Sequence, residues 1–223
     1  MEVDTTAQAI LAGQVRLLLA WNAAINLTAI REPGAIARLH VADSLAAMAL
    51  IRELPHATLL DLGSGGGFPG LPLAALLPAA RITLVESVGK KAAFLEAVVG
   101  DLGLGDRVIV ARSRAEALAP GGWDVVTARA VGSVAELVEL ALPLLGPGGH
   151  LLAWKRGDLA AELEAGARAA SALGGSVPSF RAHPPAIAEA ARIAGHGIVV
   201  VRKDAPTSPG YPRDPAARGR RPW

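Results

Sequence analysis

Asp61-Leu-Gly-Ser-Gly-Gly-Gly-Phe-Pro-Gly70 follows a short apolar run, and Glu86 ends the next such run, Arg81-Ile-Thr-Leu-Val-Glu86. Gly63, Gly65 and Gly67 make a G-x-G-x-G turn into an apolar segment. Glycine lacks a Cβ, so such a turn bends sharply and lets a ligand approach its backbone. Its N–H groups, at the mouth of a helix, suit a polar or anionic ligand end. A carboxylate at the end of the second strand can accept both hydroxyls of a ribose. With 25 glycines along the chain, the turn alone is a weak signal; the preceding strand and the spaced acid make it a nucleoside-cofactor pattern.

Two cofactors compete. A dinucleotide turn reads G-x-G-x-x-G, whereas these glycines alternate and follow an acid, Asp61. Acids favour a sulfonium and repel a pyrophosphate, which favours S-adenosylmethionine over NAD. Arg129 stands at the end of the fourth strand, at the same crevice, and Ala115-Glu116 follow the third, where an adenine edge would lie.

These residues need a sheet to hold them. Strands are expected at 57–62, 81–86, 107–111, 123–128, 149–154 and 197–202, with a weaker one at 176–182. Helices are expected at 69–77, 89–102, 133–145 and 158–173, and two precede the core, one within 6–28 that ends near Asn26 and one from Pro33 to about Leu54. The alternation implies an α/β, doubly wound, mostly parallel sheet. The chain divides into a helical extension (1–54), a cofactor-binding core (55–203) and a Pro-rich tail (204–223) that reads as loop.

Of 223 residues, 52% are hydrophobic but only 4% aromatic, so the core is built of Leu, Val, Ile and Ala. The absence of cysteine excludes disulfides, thiolate–metal sites and a catalytic thiol. No metal site is expected. The start, Met-Glu-Val-Asp, lacks a signal-peptide layout, and Pro72 and Pro78 interrupt the best candidate membrane run. A cytoplasmic monomer with no membrane contact is the expectation. From Arg202 onward six basic residues face two acidic ones; that +4 on a chain of +2 leaves −2 elsewhere. A basic tail on an acidic body fits a polyanion contact, or else a solvated end.

The chain closely resembles the bacterial small-subunit (16S) ribosomal RNA guanine-N7 methyltransferase family, also called glucose-inhibited division protein B. The matching pieces are Trp21-Asn22, Asn26-Leu-Thr28, His40-x-x-Asp43-Ser44, the glycine turn with its Phe-Pro-Gly ending, Glu86-Ser87, Lys90-Lys91, Phe94-Leu95, Arg114-Ala-Glu116, Ala128-Arg-Ala130, Lys155, Arg202-Lys203 and Tyr211-Pro-Arg213. It departs from the family at its start, where an additional helix is missing or shortened, and in having Arg156 between Lys155 and Gly157. The resemblance implies a Rossmann-like class I methyltransferase with a seven-stranded sheet and an N-terminal helical cap. Its cofactor would be S-adenosylmethionine and its partner 16S ribosomal RNA or the small ribosomal subunit. It places Asp61, Gly63, Gly65, Gly67, Phe68, Glu86, Ser87, Ala115, Glu116 and Arg129 around the cofactor, with Arg129 free to pair with a carboxylate.

Guanine N7 carries a lone pair and no proton, so its methylation needs no general base and no catalytic one is assigned. N7 lies on the major-groove edge, which A-form RNA hides, so the base must sit in a loop or be extruded. Candidate phosphate contacts are Arg31, Arg38, Lys90, Lys91, Lys155, Arg202, Lys203, Arg213, Arg218, Arg220 and Arg221. His40, Asp43 and Ser44 share one helix face, which Asn26 can approach; they are either a polar wall positioning the base or a joint docking cap to core. The other histidines, His56, His150, His183 and His196, show no partners in the sequence and receive no role. A methyltransferase of another substrate, and a non-catalytic RNA-binding or ribosome assembly protein on the same fold, are the alternatives.

Overall fold

In the computed structural model, which describes residues 3–223, seven strands form one sheet in the order β3-β2-β1-β4-β5-β7-β6. They are β1 Thr58–Leu62, β2 Arg81–Val85, β3 Val108–Ala111, β4 Trp123–Arg129, β5 Leu145–Arg156, β6 Ser179–Ala182 and β7 His196–Arg202. The first five run parallel, and β7 lies antiparallel to both its neighbours. The sheet is buried on both faces where Leu59, Leu60 and Leu62 of β1 meet Val125 and Val126 of β4. A parallel sheet covered by helices calls for such near-continuous apolar strands.

Helices α1 Thr5–Ile25, α2 Pro33–Ile36, α3 Asp43–Leu45 and α4 Met48–Arg52 precede the sheet. Between α2 and α3 the helix continues as a π-helical stretch, Ala37–Ala42. The wider turns carry an extra residue per hydrogen-bonded ring, which resets the face the chain presents and is a frequent companion of functional sites. Asp4 starts α1 by accepting the Ala7 N–H at 2.8 Å. The helix ends where expected, at Asn26, which turns left-handed at φ 54°. The cap shares its core with the sheet: Leu18, Ile36, Met48 and Ile51 belong to one buried cluster with Leu59, Leu71 and Phe94.

By length and composition alone, one helical stretch among the described residues could pass for a membrane span. Within Pro33–Arg52, 20 residues long, an 18-residue window reaches a mean hydropathy of 1.4, although Arg38, His40 and Asp43 interrupt its apolar run. Its apolar side chains Ile36, Leu45, Met48 and Ile51 are buried in the protein core.

Around the sheet lie α5 Gly70–Leu76, α6 Gly89–Asp101, α7 Val134–Ala141 and α8 Ala160–Leu173, close to the expected ranges. Two short helices were not legible: α9 Pro185–Ala191 and α10 Pro215–Arg220. The tail is therefore not the loop that its prolines suggested. Pro215 occupies the first turn of α10, where proline fits, and Asp214 caps it by accepting the Ala217 N–H. Tyr211 and Trp223 pack the tail against the second core cluster.

Candidate active site

The glycine turn bridges β1 and α5. Gly63, Gly65 and Gly67 all adopt positive φ, at 68°, 52° and 86°. A Cβ on Gly67 would stand 2.3 Å from Leu71, and one on Gly63 2.6 Å from Val131. Gly65 differs: the only neighbour its Cβ would meet is the Gly63 carbonyl at 3.8 Å. Gly65 thus borders open space from which a side chain, but not a ligand, would be unwelcome.

The turn's N–H groups are less available than their number implies. Gly63 and Ser64 donate to the Val85 carbonyl, Gly67 and Phe68 to the Ser64 carbonyl. Glu86 is buried, and its Oε2 accepts the Gly65 N–H at 3.0 Å while Oε1 accepts that of Val88 at 2.8 Å. Strand pairing between β1 and β2 thus holds the glycine turn and the ribose-type acid side by side. Their geometry fits an adenosine cofactor: an acceptor pair stands beside a backbone surface without side chains. Ser87 is exposed at the rim.

Asp61 lies beneath this surface rather than in it. At 1% exposure it accepts the Thr127 hydroxyl at 2.7 Å and the Gly70 N–H at 3.2 Å. Burial pushes its carboxyl up to about 6, with the hydrogen bonds from Thr127, Ser64 and Gly70 pulling against it. Its immediate work is to tie β1, β4 and the start of α5 together.

Beyond the turn, Phe68 packs against two residues that also touch each other. The His40 ring lies 4.9 Å away and the Arg129 guanidinium carbon 5.1 Å from the ring centre. Arg129 Nη2 donates to His40 Nδ1 at 2.9 Å. A guanidinium only donates, so the His40 proton sits on Nε2, which donates to Thr28 Oγ1 at 2.9 Å. Burial, with Arg129 adding to it, lowers the His40 pKa to about 4, so the ring is neutral at pH 7.

Arg129 is not free for a ligand carboxylate, contrary to expectation. Its Nη1 pairs with Asp43 Oδ2 at 3.2 Å and donates to the Leu39 carbonyl at 3.1 Å. Asp43 is the hub of the site. Its Oδ1 accepts from His183 Nε2 and His196 Nδ1, both at 3.0 Å, and its carbonyl accepts Trp154 Nε1 at 2.8 Å. Burial opposes its charge, but the two histidine hydrogen bonds and Arg129 outweigh it and hold the carboxyl below its usual range. Sequence reasoning missed His183 and His196, which lie 140 and 153 residues from Asp43. No local spacing signals such a pairing.

Two members of the expected polar wall are elsewhere. Ser44 is fully buried and its hydroxyl donates to the His40 carbonyl at 2.6 Å, a bond within the helix. Asn26 is exposed. Its neighbour in the motif, Asn22, instead folds the loop: its Oδ1 accepts the Leu27 and Thr28 N–H groups at 2.6 and 2.9 Å, and its Nδ2 donates to the Thr28 carbonyl. Thr28 is thereby the residue that meets His40.

A cleft of about 530 Å³ opens beside this group, lined by Thr28, His40, Asp43, Arg129, Trp154, Lys155, Arg156 and His196 among others. Ala130, at φ 57°, turns the chain sharply where β4 ends. The structure divides the expected phosphate contacts. Arg31, Arg38 and Lys90 are exposed and Lys91 half-buried. Lys155 is spoken for, donating to Glu162 at 2.7 Å and to the Gly132 carbonyl. Arg202 and Lys203 lie at the end of β7, beside the start of β5, and so at the opposite end of the sheet from the crevice. Arg202 pairs with Asp204, and Lys203 is buried with its amine on the Leu173 carbonyl and Thr207. In the tail, Arg213 grips buried Glu139 at 2.6 Å and Arg218 pairs with Glu116. Arg220 and Arg221 remain exposed. The tail is thus fastened to the core. Ala115 and Glu116 sit in a single 3₁₀ turn after β3.

Among the described residues, no group of three or more His, Asp or Glu side chains is arranged so that it could hold a metal ion. Solved structures of similar fold include S-adenosylmethionine-dependent methyltransferase SibL in its apo form, with a TM-score of 0.59 at 18% identity over 90% of this chain and 70% of that one. The [4+2]-cyclase SpnF matches with a TM-score of 0.56 at 18% identity, over 92% of this chain and 98% of that one. These likenesses show the fold. Closer similarity lies in sequence. A relative from Roseiflexus sp. (strain RS-1), named ribosomal RNA small subunit methyltransferase G, is 43% identical over 92% of this chain and 87% of its own length. One of the same name from Chloroflexus aggregans is 42% identical over 92% and 85%. A family model described as rRNA small subunit methyltransferase G matches residues 8–185. With the glycine turn, Glu86 and the His40–Asp43 hub all inside that span, the chain belongs to the rRNA small subunit methyltransferase G family.

Proposed function

We propose that this protein transfers a methyl group from S-adenosylmethionine to N7 of a guanine in small-subunit ribosomal RNA. When bound, the cofactor supplies an electrophilic methyl group. Glu86 is placed to accept the ribose hydroxyls, and the open face of Gly65 to receive the adjoining part of the molecule. The observation that carries the reading is the cleft lined by His40 and Arg129, the two neighbours of Phe68 at the end of the glycine turn. A flipped base there would meet aromatic and guanidinium surfaces suited to stacking.

The chemistry asks little more of the protein. N7 is already a nucleophile, so alignment and proximity supply the rate. His40 is neutral, and Arg129 is paired with Asp43, so the wall facing the sulfonium adds little net positive charge. Exposed Arg31, Arg38 and Arg156 flank or line the cleft and suit phosphates, with Lys90 and Lys91 beside the crevice.

The test is to map N7-methylguanosine by chemical cleavage in small-subunit RNA from a deletion strain and its parent. One guanine should lose its modification and regain it when purified protein and S-adenosylmethionine are added to the mutant's RNA or subunits. An unchanged cleavage pattern would refute the proposal. The same assay on naked RNA and on assembled subunits identifies the substrate form.

A further inference from the structure

The 3₁₀ turn Ala115–Ala117 contains no buried residue, so packing alone holds it weakly. Its strongest tether comes from the far end of the chain. Arg218 of α10 donates to the Glu116 carboxylate across 102 residues of sequence, and only 12% of its side chain is exposed. Arg218 is itself well anchored. Its Nη1 donates to the Arg213 carbonyl at 2.7 Å, and its Nε stands 3.9 Å from Glu136 of α7. Arg213 gives Nε, Nη2 and its backbone N–H to Glu139, and Trp223 Nε1 adds a fourth donor at 2.6 Å. Glu139 is fully buried, so this anchor is a charged group satisfied only while the tail is docked.

The turn has a place in the crevice. Glu86 ends β2, and β3 is its outer neighbour. A cofactor whose ribose meets Glu86 extends its base over β3, against the turn that follows that strand. We propose that the C-terminal segment is a strap on the adenine side of the crevice, and that Arg218 is a positioning residue that sets cofactor affinity through Glu116. The inference rests on the reading that the turn after β3 borders the adenine. A turn left untethered must be ordered on binding, and that ordering subtracts from affinity. Held in place by Arg218, it meets the cofactor already formed.

Calorimetry on the full chain tests this with S-adenosylmethionine and with methylthioadenosine, which keeps the adenosine and lacks the amino acid. Arg218→Ala should weaken both by about tenfold, the scale of one charged hydrogen bond. Arg218→Lys should recover part of the loss. In a Glu116→Ala background, Arg218→Ala should add less than about twofold, because its acceptor is already gone. Thermal melts confirm folding, and Arg218→Gln serves if the alanine variant does not fold. Ala115→Trp controls for the underlying reading by filling the turn's face to the crevice. If Ala115→Trp blocks binding while Arg218→Ala leaves both ligands unaffected, the strap is refuted and the pocket stands. Full additivity with Glu116→Ala also refutes it. If Ala115→Trp binds normally, the turn does not border the adenine and both ideas fall.

Discussion

At the scale of single residues, two buried groups at the site titrate in opposite senses. Asp61 ionises near pH 4 in the unfolded chain and about 6 in the fold. The folded state therefore holds a proton that the unfolded chain has released, and stability falls as pH rises from about 4 to about 6. His40 does the reverse. Its unfolded value is 6.5 and its folded value about 4, so stability rises across that interval. The two slopes offset each other between pH 4 and 6. Replacing Asp61 by Asn, which can still accept from Gly70 and donate to Thr127, should leave the His40 slope exposed, so that stability climbs with pH. His40→Gln should leave a stability that declines over the same range. Urea unfolding at several pH values from 4 to 7 reads both; parallel profiles for the three proteins would contradict the assignment. Asp43, held below the usual carboxylate range, adds stability that is lost only at still lower pH.

Among the elements, the glycine turn separates folding from binding. Gly67→Ala places a methyl group 2.3 Å from Leu71 at φ 86°, so it should destabilise the protein by about 2–4 kcal/mol. Gly65→Ala meets open space and should cost only about 1–2 kcal/mol of stability for its φ of 52°, yet it should reduce S-adenosylmethionine affinity more than tenfold. Melting curves alongside calorimetry distinguish them; equal losses of binding and of stability in both variants would contradict the division. The turn and Glu86 were legible in the sequence because both lie at strand ends, where an apolar run stops and a chemically capable residue follows. The loop Asn26–Thr28 was legible as a motif but not in its roles. Asn22 holds the backbone and Thr28 meets His40, and that exchange is set by the left-handed turn at Asn26.

For the whole molecule, charge placement decides which arginines can serve RNA. Arg31, Arg38 and Arg156 stand near the cleft, whereas Arg202 lies at the opposite end of the sheet. Alanine at each of the first three should lower the log–log salt slope of RNA binding by roughly 0.7–0.9 for every phosphate that the arginine neutralises. Arg202→Ala should leave the slope unaltered. A drop at Arg202 equal to that at Arg156 would place RNA across the far end as well. The tail's net positive charge counts Arg213 and Arg218 as available cations. Packing shows each paired with a carboxylate of the core.

By itself the sequence determined the alternating strands and helices, the glycine turn, the acid at the end of β2 and the family. Each of these is written in short-range pattern: apolar periodicity, turn chemistry, and motifs a few residues long. The tertiary structure alone decided that Asp43 gathers Arg129, His183 and His196, and that Asp61 is buried where it braces β1, β4 and α5. It alone decided that the basic tail is a docked helix fastened to the turn after β3. Those outcomes depend on which strand ends and which distant carboxylates come within about 3 Å of one another, the reach of a hydrogen bond. Such distances follow from sheet order and packing, and no local spacing encodes them.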